Sequence, residues 1–169
     1  MLTSVRLRKK RHAQLKTNSR WCVHLTDTTM SSHRPVEILP HSGLRAGENF
    51  FSDPLPSDET LIAEVFTSEQ PQLFCHRQQT DQLIVLRGSI DLIVLQNRQL
   101  RRITLREDEA TWVRIPAGVP HGAINRSRHS VVIVNAVLQH GPSDPRDYLP
   151  RPVPHSLLNQ WEALIAGDR

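Results

Sequence analysis

From Leu61 onward the chain is a succession of short apolar runs separated by turn residues at intervals of about eight to twelve, the rhythm of an antiparallel β sandwich or barrel. The runs cover residues 61–66, 72–76, 82–86, 90–95, 100–105, 111–115, 122–125 and 131–138. Arg87-Gly88-Ser89 and Gln96-Asn97-Arg98 are hairpin-like breaks, and Glu107-Asp108-Glu109 is a charged turn. Leu83-Ile84-Val85-Leu86 and Val131-Val132-Ile133-Val134 are apolar at every position, which suits strands covered on both faces. A two-layer β barrel supplies that cover.

Helical periodicity is absent until the C-terminus. Pro142, Pro145, Pro150, Pro152 and Pro154 make residues 141–154 an extended strap. After it, Leu157, Leu158, Trp161, Leu164 and Ile165 recur at helical spacing, with Ser156 placed to cap. The apolar stripe of that short helix either closes one end of the barrel or forms a dimer contact.

A chain of 169 residues holds one domain. It has no apolar stretch of membrane-spanning length, its first residues lack the apolar core expected of a secretory signal, and its two cysteines, Cys22 and Cys75, support neither a disulfide framework nor a cysteine-based zinc site. A reducing, cytoplasmic setting is expected. Residues 1–29 carry seven cations against Asp27 alone, a net of +6, and residues 30–169 carry fourteen arginines against sixteen acids, a net of −2. The first segment is expected to be a disordered basic arm: a nucleic-acid or membrane-binding tail, a targeting segment, or an extension upstream of a working start at Met30. All three lysines lie in it, so the body of the protein has no lysine for acid or Schiff-base chemistry.

The most specific string is Ile115-Pro116-Ala117-Gly118-Val119-Pro120-His121-Gly122-Ala123-Ile124-Asn125. Two prolines and a glycine force a tight turn, and His121 opens the next strand with its imidazole free to point inward. Upstream stands Phe74-Cys75-His76-Arg77-Gln78-Gln79-Thr80-Asp81, with Gly88 seven residues after Asp81. Strand alternation puts Phe74, His76 and Gln78 on one face, and Cys75 and Arg77 on the other. Cys75 is therefore a core thiol facing away from His76.

Pro116, Gly118, His121 and Asn125 match the second signature of the cupin superfamily, and His76, Asp81 and Gly88 resemble the first, with Gln78 or Phe74 where a second histidine stands. The resemblance implies an all-β, single-domain cupin jelly-roll β-barrel with a short C-terminal helix. Its barrel is placed at 49–140, after an arm and lead-in at 1–48 and before the strap and helix at 141–169. In metal-binding cupins these signatures hold a divalent ion such as Mn, Fe, Ni or Zn, which carries over to His76, Asp81 and His121. Two histidines and a carboxylate form an open non-haem ligand set. A homodimer is also implied.

Over residues 50–150 the pattern looks most like the deoxysugar-nucleotide epimerase branch, typified by dTDP-4-dehydrorhamnose 3,5-epimerase. There a histidine removes a proton beside a carbonyl, a lysine steadies the enolate and a tyrosine reprotonates. His76 matches the base; Asp81 falls near the lysine position, and the only tyrosine, Tyr148, comes after the barrel in the strap.

The expected function is binding of a small molecule of sugar-nucleotide, carbohydrate or oxyanion type, with isomerase or epimerase chemistry at His76, His121 and Asp81. Gln78, Gln82, Arg77 and Asn125 are expected around the ligand. The alternatives are a metal-dependent cupin reaction and a non-catalytic sensing or assembly module. Arg77, Arg87 and Arg114 are available to grip a phosphate or carboxylate. Arg98, Arg101, Arg102 and Arg106 suit a solvated hairpin, and His129, His140 and His155 suit solvated loops. There is no phosphate-cradling glycine loop, dinucleotide fingerprint or nucleophile elbow, and no aromatic-basic face for nucleic acid, leaving only the basic arm for such contacts.

Overall fold

The computed structural model describes residues 34–68 and 70–167. The basic arm of residues 1–29, with Cys22 and the lysines, lies outside them. Among the described residues, ten strands precede one α-helix: β1 Glu37–Pro40, β2 Gly43–Ala46, β3 Asn49–Ser52, β4 Glu59–Val65, β5 Gln79–Arg87, β6 Ser89–Gln96, β7 Gln99–Arg106, β8 Thr111–Ile115, β9 His121–Ile124 and β10 Val131–Gln139, followed by α1 Leu158–Ala166. Seven of the eight apolar runs are strands.

β1-β8-β5-β10-β4 form an antiparallel sheet, β7-β6-β9 form a second, and β2 and β3 form a separate hairpin. The two larger sheets face each other across a core that includes Leu83 and Val85 of β5, Leu92 of β6, Leu105 of β7, Val113 of β8 and Ile133 of β10. Ile84, Trp112 and Ala136 form a second apolar cluster, with Leu39, Leu55 and Val134 packed on it. Alternation places these on the opposite face of the large sheet from Leu83 and Val113. That second cluster explains the unbroken apolar runs at 83–86 in β5 and 131–134 in β10. Leu86 is the exception and is 55% exposed.

Several expectations need correction. The sheets do not close into a barrel: among the described residues no continuous ladder joins them. The run at 72–76, expected as a strand, makes only isolated bridges, Leu73 to Arg151 and Phe74 to His121. Its backbone partners are single residues, Arg151, His121 and Gly118, so no ladder propagates along it. Part of the expected lead-in belongs to the folded body, because β1 pairs with β8 and Val36 is buried in the core. Ser156 does not cap the helix; a 3-10 turn at His155–Leu157 runs into it and Leu157 takes the cap position with no side-chain bond.

α1 closes one end of the sandwich. Trp161 packs with Leu73, Ile93, Leu100 and Ile124, and Gln160 exchanges bonds with the Leu100 backbone. Arg126 ties the end of the helix to the sheet, donating to the Leu164 and Ile165 carbonyls and to Asp91. No helix among the described residues is long and apolar enough to cross a membrane.

Candidate functional site

Two glycines bring the first histidine to the second. A Cβ on Gly122 would stand 2.2 Å from the Gln72 carbonyl oxygen, so only glycine lets this segment run against β9. Phe74 and His121 then exchange both backbone bonds, at 2.7 and 2.8 Å. Gly118, at φ +83°, turns its N–H onto the His76 carbonyl at 2.7 Å. The His76 and His121 rings end 5.5 Å apart between centroids.

Asp81 comes from β5, whose alternation points Asp81, Leu83 and Val85 inward and Thr80, Gln82 and Ile84 outward. Its Oδ1 accepts from Gln79 Nε2 at 2.6 Å and Asn135 Nδ2 at 2.7 Å. Its Oδ2 faces His121 Nε2 at 3.5 Å and His76 Nε2 at 3.9 Å. The His121 Nδ1–H donates to the Val119 carbonyl at 2.9 Å, which leaves Nε2 with its lone pair toward Asp81. Burial pushes the His121 imidazole below its ordinary value, against the opposing pull of Asp81 and the Val119 bond. In the neutral state a ring lone pair and a carboxylate oxygen thus face each other with no hydrogen between them.

A cation between these acceptors would satisfy both, and the donor atoms of His76, Asp81 and His121 all lie within 4.8 Å of one another. Val119 fixes one ring from behind, and Gln79 and Asn135 fix the carboxylate, the outer support that metal ligands need. The residues fit a divalent ion.

Tyr148 completes the cleft. It lies on a 3-10 turn, Pro145–Tyr148, and its ring stands edge-on to His76 with centroids 6.0 Å apart. The turn is pinned from below: buried Asp147 accepts from the Arg77 backbone N–H at 2.9 Å and from Arg77 Nη1 at 2.7 Å. Arg151 N–H adds a bond to the Leu73 carbonyl at 2.7 Å. Cys75 is buried, and burial raises its thiol against the pull of Arg151 and Arg77.

The structure therefore brings together His76, Asp81 and His121, and places the other expected site residues elsewhere. Arg77 serves the strap. Gln78 lies in the bend at Arg77–Gln78 that interrupts alternation, with its amide beside Gly141. Gln82 is wholly buried on the outward side of β5, donating to the Pro56 and Ala136 carbonyls and accepting from Arg114. Asn125 pins a turn, donating to the Val65 and His129 carbonyls and accepting from Ser127. His140, expected in solvent, bonds Thr80 at 2.8 Å. Sequence reasoning missed Tyr148 and Asn135; the second was signalled by a lone amide in an apolar strand.

The cleft around these groups has a volume of about 580 Å³. A larger hollow of about 780 Å³, between the Asn97–Arg98 turn and Pro154–Leu157, has no histidine or carboxylate in its wall, so the acid–base groups belong to the smaller one.

No protein-family model and no curated protein matches the chain. Solved structures do. A dTDP sugar isomerase from Desulfovibrio desulfuricans G20 superposes with a TM-score of 0.58 at 18% identity, over 79% of this chain and 92% of that one. A 3,4-ketoisomerase from Helicobacter canadensis gives 0.57 at 12% identity, over 80% and 100%. A dTDP-4-dehydrorhamnose 3,5-epimerase from Sulfolobus tokodaii gives 0.52 at 14% identity, over 72% and 78%. With two facing antiparallel sheets, the inward histidines on one cleft and these superpositions, the chain has the RmlC-like cupin fold.

Proposed function

We propose that the protein is an isomerase or epimerase that moves a proton at a carbon beside the carbonyl of a sugar-like substrate, with His76 as the base. One observation carries this reading: four separate segments deliver His76, Asp81, His121 and Tyr148 to a single cleft. Paired titratable groups in contrasting surroundings are what proton abstraction and return require. The names of the structural neighbours support it.

His76 takes the proton, and the carbon–hydrogen electron pair moves onto the carbonyl oxygen as an enolate. Buried Asp81 stabilises the imidazolium that forms. Tyr148 returns a proton, to the same carbon in an epimerisation, or to the former carbonyl carbon in an isomerisation, where the hydroxyl proton of the first carbon passes to the enolate oxygen as the new carbonyl forms. Its ring is 64% exposed, so solvent restores the hydroxyl proton and accepts the one held by His76.

The test is carbon–hydrogen exchange in D2O followed by proton NMR. The full-length protein is expected to wash out signals beside the carbonyl of at least one member of a panel of ketohexoses, 6-deoxyketohexoses and TDP-4-keto-6-deoxyglucose. Exchange no faster than in buffer across the panel would sink the proposal.

A second reading is supported by the facing acceptors at His121 and Asp81. A divalent ion held by His76, Asp81 and His121 would supply Lewis-acid polarisation of an oxygen. Elemental mass spectrometry of the purified protein is then expected to find about one equivalent of a transition metal, lost in His76→Ala and in His121→Ala. A metal-free wild type rejects this reading and leaves the first intact.

A further inference from the structure

Among the described residues, no arginine or lysine lines the cleft that holds His76 and His121. The arginines offered by the sequence for gripping a phosphate are placed elsewhere. Arg77 donates to Asp147 at 2.7 Å and to Asp144 at 3.4 Å, outside the cleft. Arg114 donates to Gln82 at 3.1 Å and Glu37 at 3.0 Å. Arg87 borders a different hollow, with Gly88 and Glu107.

Apart from Asp81 and the two imidazoles, what the cleft offers is uncharged. Ser68, Gln70 and Gln72 supply neutral polar groups suited to hydroxyls, and Phe66 and Phe74 supply apolar walls suited to the carbon–hydrogen faces of a ring. The acid in the wall is Asp81, whose side chain is 3% exposed and whose Oδ2 lies between the two imidazoles. An anion reaching His76 therefore meets a buried carboxylate with no guanidinium or ammonium among the described lining residues to offset the repulsion. Proteins that hold a pyrophosphate do so with such cations or with a row of backbone donors at a helix start. Size does not decide the matter, because about 580 Å³ lies within the range that takes drug-sized ligands. Charge does.

We propose that this cleft takes an uncharged sugar or a related neutral hydroxy-carbonyl compound, and not a nucleoside diphosphate. The proposal deepens the proton-transfer reading and rests on it for where the substrate sits. It separates this chain from neighbours whose names specify TDP-linked or dTDP sugars.

Tyr148 is the only tyrosine in the chain and stands at the cleft, so full-length protein made with 3-fluorotyrosine carries one fluorine resonance there. Titration with uncharged 6-deoxyhexoses is expected to move that resonance saturably in the millimolar range, with midpoints unchanged in 0.5 M NaCl. Thymidine diphosphate at the same concentrations is expected to leave it in place; nucleotide held by basic residues away from the cleft would not move it either. A shift produced by thymidine diphosphate at lower concentration than by the sugars overturns the proposal, and so does a resonance that neither probe moves. Because this reads binding and not turnover, the two ideas fail separately. Sugar-selective shifts without exchange in D2O remove the proton-transfer step alone, and exchange of the TDP-linked ketosugar with a nucleotide-driven shift removes this proposal alone.

Discussion

Alanine at His76 is expected to lower the rate of carbon–hydrogen exchange by a factor of about 10²–10⁴, the range that a positioned general base contributes. The loss is expected in the exchange rate and not in the fold. The His76 side chain is 18% exposed and its imidazole is not among the groups that hold the sandwich together, so the thermal midpoint should stay near that of the wild type. Proton NMR in D2O gives the rate and circular dichroism the midpoint. His121→Ala is the informative contrast, since it removes the Val119 bond as well and leaves Asp81 facing a cavity. A His76→Ala variant exchanging within tenfold of wild type would remove His76 from the base role and pass it to His121.

Methionine at Arg77 is expected to destabilise the protein by about 3–5 kcal/mol, the cost of leaving a buried charge without its partner. Asp147 is 4% exposed and receives both the Arg77 guanidinium and the Arg77 backbone N–H, so the variant keeps one donor of two. Denaturant unfolding of the full chain measures the loss. The double variant Arg77→Met with Asp147→Leu should recover much of it, because replacing both partners removes the orphaned charge. A separate readout reports the strap itself. Cys75 is buried on the same side as Arg77 and Arg151, so its thiol should react with an aromatic disulfide reagent faster in Arg77→Met than in wild type. An Arg77→Met protein with wild-type stability and an unreactive Cys75 would show that the strap is held by other contacts.

The strand rhythm made the fold legible because half-buried antiparallel strands impose a spacing that survives in a single sequence. The His121 motif was legible for the same reason: prolines and glycine constrain the backbone wherever they stand. Gln82 shows what alternation could have supplied and did not. Once Asp81 faces inward on β5, its neighbour must face outward, and Gln82 is found there. Gln78 failed for the opposite reason, since alternation was extended through a bend that ends it. Tyr148 was out of reach of periodicity. It is placed by an ion pair between residues 77 and 147, and nothing in local spacing announces a contact across 70 positions.

The close approach at Gly122 means that the distance between the two imidazoles is set by main chain against main chain, with Gln72 on one side and β9 on the other. The side chains along the cleft at residues 66, 68, 70 and 72 take no part in setting that gauge. Residues 66, 68, 70 and 72 are thus free to drift toward new ligands while the reactive pair keeps its spacing, and a library randomised at those four positions explores specificity on a fixed reaction centre.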